Sequence, residues 1–144
     1  MTTTKMNHTE INDQTIKILV DHFYSKILED ELVGPLFKRH IGDTLDQWGD
    51  HLLTMYRFWA SVMNGTGQYK GSPHMVHSRF AHEAETEFFQ RWLNLWFESC
   101  DETFVPDEAD KFKKKAEMIA KSLHYTMFDD KMPEDYIPQP KSAA

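Results

Sequence analysis

Four long stretches of this chain repeat their apolar side chains every three or four residues, and no stretch alternates apolar and polar side chains for long. A spacing of three or four residues places side chains on one face of an α-helix, whereas a strand needs a period of two. Gly34-Pro35 and Asn64-Gly65 interrupt the periodic stretches, as helix-breaking dipeptides do. The sequence therefore predicts an all-α fold of four main helices, and it contains no internal repeat.

The first two predicted helices are separated by Gly34-Pro35. Asp13 is a suitable N-cap for the first, and Pro35 suits the first turn of a short second helix that ends at Gly42. Phe37 belongs to that short helix. The apolar face of the first helix consists of Ile16, Leu19, Val20, Phe23, Tyr24, Ile27 and Leu28.

The next long helix is predicted to start at the N-cap Thr44 and to end at Asn64-Gly65. Residues 65–73 contain three glycines and a proline, which predicts a flexible crossing, followed by a short helix through His77. The apolar face of the long helix includes a histidine and consists of Trp48, His51, Leu52, Met55, Phe58, Trp59, Val62 and Met63.

Two further helices complete the prediction. One covers about residues 83–99 with Trp92 at its centre, and the last opens at Pro106. We expect residues 1–10 to be a flexible arm, 11–128 the folded domain, and 129–144 a flexible, acidic, proline-containing tail. The last helix buries Phe112, Ala116, Ile119, Ala120, Leu123 and Met127, and its predecessor Phe88, Phe89, Trp92, Leu95 and Trp96.

Composition excludes several functional classes. With 144 residues the chain has the length of one domain, and its net charge of −7 without a basic stripe disfavours nucleic acid. Cys100 is the only cysteine, so an intrachain disulfide and a covalently attached c-type haem are both excluded. Neither a signal peptide nor a membrane span is recognisable, so we expect a cytoplasmic protein without a membrane partner.

Four polar or ligating side chains are expected at or beside the core: Tyr24, His51, His77 and Trp92. Buried histidine, tyrosine and tryptophan need partners for their polar atoms. An iron porphyrin would satisfy them together, because one imidazole can bind the metal while the other groups face a ligand opposite. The apolar wall of such a pocket would come from Phe23, Phe37, Met55, Phe58 and Leu95.

Ordinary structural roles remain open for each of these residues. His77 could be a surface or capping histidine, while Tyr24 and Trp92 could be core residues bonded to backbone carbonyls. His74 and His77 form an i, i+3 pair, but no cysteine or carboxylate cluster completes a zinc site. The common nucleotide-binding and hydrolase motifs are absent, and a lone buried Cys100 is usually inert.

In their order and spacing, six segments resemble the bacterial truncated haemoglobins of the third group. The resemblance covers about residues 11–127, and the paired-glycine motifs of the first two groups are absent. No single segment is specific, but six in sequence are hard to obtain by chance. The segments are Phe23-Tyr24-Ser25-Lys26, Gly34-Pro35-Leu36-Phe37, Trp48-Gly49-Asp50-His51, Phe58-Trp59-Ala60, Pro73-x-x-x-His77 and Phe88-Phe89-x-x-Trp92-Leu93.

The resemblance implies a two-over-two helical sandwich around non-covalent haem b. In that family the histidine matching His77 is the proximal ligand, and the residues matching Tyr24 and Trp92 donate hydrogen bonds to bound ligand. The histidine matching His51 gates the distal pocket. This chain departs from many relatives in the less apolar turn after His77, Ser78-Arg79-Phe80, and in a longer C-terminus. Candidates for contacts to the haem propionates are Tyr69, Lys70, Arg79 and His82.

The expected function is reversible binding of O₂, NO and CO at haem iron, in O₂ or NO chemistry rather than bulk O₂ transport. An alternative is a haem oxidoreductase, an NO dioxygenase or a peroxidase-like enzyme, in which His51 or Tyr24 assists proton transfer. The chain carries no recognisable reductase domain, so electrons would come from a separate reductase. A third possibility is a haem-free helical interaction module. A monomer is expected rather than an oligomer.

Overall fold

The structure, a computed structural model, describes residues 5–67 and 85–138 of the chain. Within these two ranges it contains no strand, and the β-type pairing there is one isolated bridge between His8 and Phe104. The predicted all-α fold is confirmed. The helices described are α1 (Asp13–Glu29), α2 (Gly34–His40), α3 (Gly49–Asn64), α4 (Glu87–Thr103) and α5 (Pro106–Phe128), with 3₁₀ turns at Leu45–Trp48 and Glu134–Tyr136.

Helix α1 is capped one residue earlier than predicted. The Asn12 side chain accepts a hydrogen bond from the Thr15 amide at 2.9 Å, and Thr15 Oγ1 accepts one from the Asn12 amide at 2.9 Å. This reciprocal capping box satisfies two amides that the first helical turn would otherwise leave unpaired. Asp13 therefore lies in the first turn, where its negative charge is favourable beside the helix N-terminus.

The start of the third predicted helix differs in type from the prediction. Thr44 caps a 3₁₀ turn, and regular α-helix begins only at Gly49. The Gln47 side-chain oxygen accepts a hydrogen bond from the Asp43 amide at 2.6 Å, and Trp48 Nε1 donates to the Gly42 carbonyl at 2.8 Å. These bonds hold the chain in a tighter turn than an α-helix allows. The predicted end is confirmed, since Gly65 closes α3 with a left-handed φ of 64°.

Helix α4 extends beyond its predicted end at residue 99, to Thr103. The hydroxyls of Ser99 and Thr103, near its C-terminus, are both bonded within the helix. Ser99 Oγ donates to the Leu95 carbonyl at 2.7 Å, and Thr103 Oγ1 donates to the Ser99 carbonyl at 2.8 Å. Such back-bonding lets serine and threonine lie buried inside a helix. The described part of α4 begins at Glu87, later than the predicted residue 83.

The core lies where α1 packs against α3 and α4, and where α4 packs against α5. Aromatic rings dominate it, and they bury large apolar areas at low cost in side-chain entropy. No described helix is long and apolar enough to cross a membrane. The largest fully buried side chains are Trp48, Trp96, Phe23, Phe104, Phe112, Ile16, Leu19, Ile27, Leu93, Met132, Val20 and Val33.

The described parts of both predicted flexible ends lie against α4 and α5. The Met6 amide donates to the Glu102 carbonyl at 2.8 Å, and the His8 amide donates to the Thr103 carbonyl at 2.9 Å. At the C-terminal end, Met132 is buried, and the 3₁₀ turn Glu134–Tyr136 lies against α4. The extent of flexibility at the ends, and the domain limits drawn from it, stay predictions.

The Gly34 position at the start of α2 has no room for a side chain. A Cβ there would lie 2.9 Å from the Ile27 carbonyl oxygen and 3.1 Å from that of Leu28, both backbone atoms. We expect Gly34→Ala to lower the free energy of unfolding by about 1–3 kcal/mol, as overpacked sites do. The matched control is Gly49→Ala, because a Cβ at Gly49 meets nothing within 4 Å.

Urea unfolding of both variants checks this prediction. Alanine in the helical position of Gly49 is expected to leave stability unchanged or to raise it by about 0.5–1 kcal/mol. If Gly34→Ala unfolds at the same urea concentration as Gly49→Ala, the tight approach of α2 to the end of α1 is contradicted.

An ion-pair network joins α1 to α4. Glu102 Oε1 lies 2.8 Å from both His22 Nε2 and Lys26 Nζ, and Lys26 Nζ also lies 2.6 Å from Glu98 Oε1. Partial burial opposes ionisation of Glu102, but the hydrogen bonds from Lys26 and His22 outweigh it and hold the pKa of Glu102 below its ordinary value of 4.5. The folded state therefore favours the ionised carboxylate.

This lowered pKa predicts an acid-sensitive contribution to stability. The contribution is complete above the unfolded-state pKa of 4.5 and is lost as pH falls through the lower folded-state pKa. We expect Glu102→Gln to lose less stability than wild type between pH 7 and about pH 3. The difference should be less than about 1 kcal/mol, because solvent still reaches part of the network. Urea unfolding at both pH values measures this, with exposed Glu31→Gln as control. Equal pH dependence in wild type and Glu102→Gln would contradict it.

Candidate functional site

Tyr24, Trp48 and His51 form one aromatic cluster where α1 faces the start of α3. The ring centre of Tyr24 lies 5.2 Å from that of Trp48 and 6.0 Å from that of His51. Trp48 and His51 are 5.5 Å apart and nearly perpendicular. Two of the four predicted site residues are therefore neighbours, although they lie 27 positions apart in the sequence.

The Tyr24 hydroxyl is a hydrogen-bond donor held in an apolar environment. Tyr24 is only 6% exposed, and burial raises the pKa of its hydroxyl well above the ordinary value of 10.0. The group therefore keeps its proton at any physiological pH. Within residues 5–67 and 85–138, it donates to no other group. It could donate to a small ligand beside it.

Trp92 on α4 connects to this cluster through Phe23. The Phe23 ring lies 4.8 Å from Tyr24 and 5.8 Å from Trp92, in edge-to-face contact with both. Trp92 is half-buried, whereas Phe23 is only 1% exposed. The fold thus brings α1, α3 and α4 together around three of the predicted polar side chains, and Phe23 lies between two of them.

Apart from Phe23, which is fully buried on α1, the residues of the predicted apolar wall lie on three helices. Phe37 lies on α2, Met55 and Phe58 lie on α3, and Leu95 lies on α4. All four pack against the core yet stay half-buried. Phe37 also stacks on Trp48, with ring centres 5.9 Å apart. Partly exposed apolar side chains beside buried donors are the surroundings that a flat, largely apolar ligand requires.

The other predicted site residues lie outside the described residues. They include the expected metal ligand His77, so the structure does not describe the geometry on that side of the site. The described ranges contain no group of three or more metal-ligating side chains. The predicted residues concerned are Tyr69, Lys70, His74, His77, Arg79 and His82.

A positioning element that the sequence analysis missed is the bond made by Trp48. Its Nε1 donates to the Gly42 carbonyl at 2.8 Å, and the residue is 1% exposed. Because that bond uses the only N–H of the indole, Trp48 cannot itself donate to a ligand. Its ring instead packs against Tyr24 and His51. Its position three residues before His51, on the same helical face, was the one available signal.

A second missed element is the pair of Asp30 and Arg91. The Asp30 carboxylate accepts hydrogen bonds from the Leu32 and Val33 amides at 2.9 Å and lies 2.5 Å from the Arg91 guanidinium. Partial burial opposes ionisation of Asp30, but these bonds outweigh it and lower its pKa. The pair fixes the α1–α2 turn against α4 beside Trp92. Nothing in the local sequence pattern indicates so distant a contact.

Comparison with known proteins supplies the family. The family of bacterial-like globins matches residues 11–128. A group 3 truncated hemoglobin of Campylobacter jejuni is 30% identical over 123 residues, which cover 85% of this chain and 96% of that relative. This chain belongs to the group III truncated haemoglobins. The crystal structure of a truncated haemoglobin of the same group, also from Campylobacter jejuni, superposes with a TM-score of 0.78 at 29% identity, covering 85% of this chain and 96% of that one.

These comparisons confirm the predicted family and the truncated globin fold. A truncated haemoglobin binds haem, and small diatomic ligands bind to that haem. The described residues of this truncated haemoglobin fit such a group. Tyr24 supplies a buried, protonated donor, and Phe37, Met55 and Phe58 supply partly open apolar surface for a flat macrocycle. Two surface cavities of the described ranges, of about 260 and 230 Å³, lie elsewhere, at His8–Ile18 and between α1 and α3.

Proposed function

We propose that this truncated haemoglobin holds haem b without a covalent bond and uses it to bind O₂, NO and CO reversibly. The role that fits best is O₂ or NO chemistry rather than bulk O₂ transport. The observation that carries this proposal is the enclosed cluster of Tyr24, His51 and Trp48, joined through Phe23 to Trp92. In this cluster a buried, protonated donor lies beside an imidazole, a ring type that can exchange a proton.

Residues from several helices surround the haem in this arrangement. His77 is the metal ligand, with Phe23, Phe37, His51, Met55, Phe58 and Trp92 along the faces and Tyr69 and Arg79 at the polar edge. Haem iron, when bound, supplies a coordination position that takes a diatomic ligand. Every further property of the pocket belongs to the chain's own residues.

Tyr24 and Trp92 stabilise a diatomic ligand by hydrogen bonds. A bound ligand with partial negative charge accepts a bond from the Tyr24 hydroxyl, and the Trp92 N–H supplies another. Since burial keeps the Tyr24 hydroxyl protonated, its donation does not depend on pH in the physiological range. His51, half-buried beside Tyr24, gates the entry of the ligand.

Slow release separates this role from bulk transport. Each neutral hydrogen bond contributes about 0.5–1.5 kcal/mol, so two donors retain a ligand that a carrier would need to release quickly. The test mixes the reduced, O₂-loaded protein with excess CO in a stopped-flow instrument and follows O₂ release. Release that is slow compared with a one-donor carrier globin measured alongside supports the proposal, and equally fast release contradicts it.

A second candidate function is a haem oxidoreductase that dioxygenates NO or consumes peroxide. The observation that favours it is the contact of His51 with Tyr24, at 6.0 Å between ring centres, because an imidazole beside a phenol can serve as general acid or base. Sustained NO consumption with an added reductase would support it. Such an enzyme would depend on a separate reductase. The monomeric state and the cytoplasmic location expected from the sequence stay predictions.

A further inference from the structure

Three of the four tryptophans form a continuous stack through the core. The rings of Trp92 and Trp96 are parallel within 2°, with centres 6.1 Å apart. The rings of Trp96 and Trp59 are stacked at 17°, with centres only 4.5 Å apart. Trp96 is fully buried and Trp59 is 3% exposed, while Trp92 is half-buried at the proposed pocket. The stack therefore runs from the pocket across α4 to α3.

Tyr56 continues this line toward the surface. It lies three residues before Trp59 on α3, a spacing that makes two side chains neighbours on one helical face. Its hydroxyl donates a short hydrogen bond to the Asp21 carboxylate on α1. The Lys17 ammonium lies 2.9 Å from that carboxylate and 5.5 Å from the centre of the Tyr56 ring. Tyr56, with Asp21 as its proton acceptor, thus follows Trp59, the last indole of the stack.

Tyr56 is also part of the wall of a surface cleft of about 230 Å³ between α1 and α3. Leu53 at its edge is 44% exposed. Lys17 and Arg57 both line this cleft, but Lys17 is already paired with Asp21. The exposed guanidinium of Arg57 is therefore the cation beside Tyr56 that a small anionic molecule can bind. The full lining consists of Asp13, Lys17, Leu53, Tyr56, Arg57 and Ala60.

We propose that Trp92, Trp96, Trp59 and Tyr56 carry electrons, one at a time, from a small anionic reductant in this cleft to the haem pocket. The inference rests on the proposed function, because it needs haem in that pocket. It adds to the ligand chemistry a route by which electrons reach it without a reductant entering the pocket itself. An enediol of the ascorbate class is such a reductant, because it is small, carries the negative charge that Arg57 can bind, and gives up its electrons one at a time.

The chemistry of the route balances with hydrogen peroxide as the oxidant. Reducing one H₂O₂ to two water molecules in the haem-loaded pocket consumes two electrons and two protons. Trp92 gives up one electron, Trp96 replaces that electron, and Trp59 then replaces the electron that Trp96 lost. Indole suits these steps because it is among the side chains that lose one electron most readily. No atom moves in these steps, so the fully buried Trp96 needs no proton acceptor.

Tyr56 completes the transfer with a proton step. It passes an electron to Trp59 while its O–H bond breaks and the proton forms a bond with Asp21. The reductant in the cleft then returns an electron, and Asp21 returns the proton. Partial burial and the Asp21 carboxylate raise the pKa of Tyr56, so the phenol is intact before each transfer. Solvent supplies the two protons that peroxide reduction consumes.

The test maps where the unpaired electron appears. The haem-loaded protein is mixed with H₂O₂ in the presence of a nitrone spin trap, digested, and analysed by mass spectrometry for adducts. We expect the adduct on Tyr56 in wild type, and its loss in Tyr56→Phe. We also expect its loss in Trp96→Phe, which keeps an apolar ring in the core but removes the middle indole. Tyr125→Phe, at a position 61% exposed on α5, is the matched control and keeps the Tyr56 adduct.

A surface variant decides the question if Trp96→Phe folds poorly. Asp21→Asn removes the proton acceptor, and we expect the adduct to move from Tyr56 to the indoles. An undiminished Tyr56 adduct in Trp96→Phe, or an adduct on Tyr56 no stronger than on Tyr125, overturns the route. A CO spectrum of each sample separates the failures: a normal spectrum without the adduct overturns the route alone, and absent haem overturns the proposed function as well.

Discussion

Replacing both Tyr24 and Trp92 with phenylalanine is expected to speed O₂ dissociation from the reduced, haem-loaded protein by about 5- to 140-fold. The two lost hydrogen bonds contribute about 1–3 kcal/mol together, and each 1.4 kcal/mol corresponds to a factor of ten. Each single variant is expected to show part of this effect. Stopped-flow displacement of O₂ by CO measures all of the rates.

The geometry of the site makes Tyr24→Phe an informative substitution. Phenylalanine keeps the ring that packs against Phe23, Trp48 and His51, and it removes only the hydroxyl. Because that hydroxyl donates to no group within the described ranges, its loss should leave the free energy of unfolding unchanged or slightly higher. A faster O₂ release at unchanged stability therefore reports the contact with the ligand.

Tyr125→Phe is the control for a tyrosine hydroxyl lost elsewhere, since Tyr125 is 61% exposed on α5. Its O₂ dissociation rate should equal that of wild type. Unchanged rates in Tyr24→Phe, Trp92→Phe and the double variant would show that neither residue donates to the ligand. The buried cluster would then serve only to pack α1 against α3.

Replacing His77 with alanine is expected to abolish stable haem binding or to leave haem that exogenous imidazole restores to a wild-type spectrum. The imidazole of His77 is the metal ligand in the proposal, and alanine offers no donor atom in its place. His74→Ala is the matched control, because it removes a histidine three positions away on the same segment. Absorption spectra of the ferric and reduced proteins, with and without added imidazole, measure the effect.

The spectra of these two variants discriminate between models of the site. Loss of the haem spectrum in His77→Ala but not in His74→Ala supports His77 as the ligand. If His77→Ala keeps a wild-type spectrum, another residue binds the metal. If both variants behave alike, the segment acts through its fold rather than through one imidazole.

The helices, and the helical faces on which Tyr24 and His51 lie, were predictable from local sequence because their signals are local. The three- and four-residue spacing places Tyr24 and His51 on apolar faces, and the structure puts their rings 6.0 Å apart. Asn64-Gly65 also marks the end of α3 correctly, since glycine adopts the left-handed conformation there without steric cost. Roles for individual side chains came from the family resemblance and not from spacing.

What the sequence did not reveal depends on contacts between distant segments. The cap of α1 is Asn12 and not Asp13, because the Asn12 side chain bonds to Thr15. Helix α4 continues to Thr103, whose hydroxyl bonds within the helix. His124 was not predicted as buried. It is 3% exposed, bonded to Thr86 at 2.7 Å and to the Asp130 carbonyl at 2.8 Å. Periodicity cannot show such partners, since it records only which face a residue occupies.

The Trp92–Trp96–Trp59 stack illustrates the same limit. Periodicity places Trp92 and Trp96 on one face of α4, since they are four residues apart. It gives no indication that Trp59 of α3 would stack on Trp96 at 4.5 Å. That contact follows from the way α1 holds α3 and α4 together, which only the packed structure specifies.

The central claim is that this chain holds haem in the pocket beside Tyr24 and Trp92 and offers it to diatomic ligands. Titration of the purified protein with haemin, followed by reduction and addition of CO, tests it most directly. The account predicts a Soret band that saturates at equimolar haemin and shifts when CO binds. A protein that takes up no haemin and shows only the aromatic absorption band would contradict it, and would leave a helical interaction module as the explanation of its aromatic core.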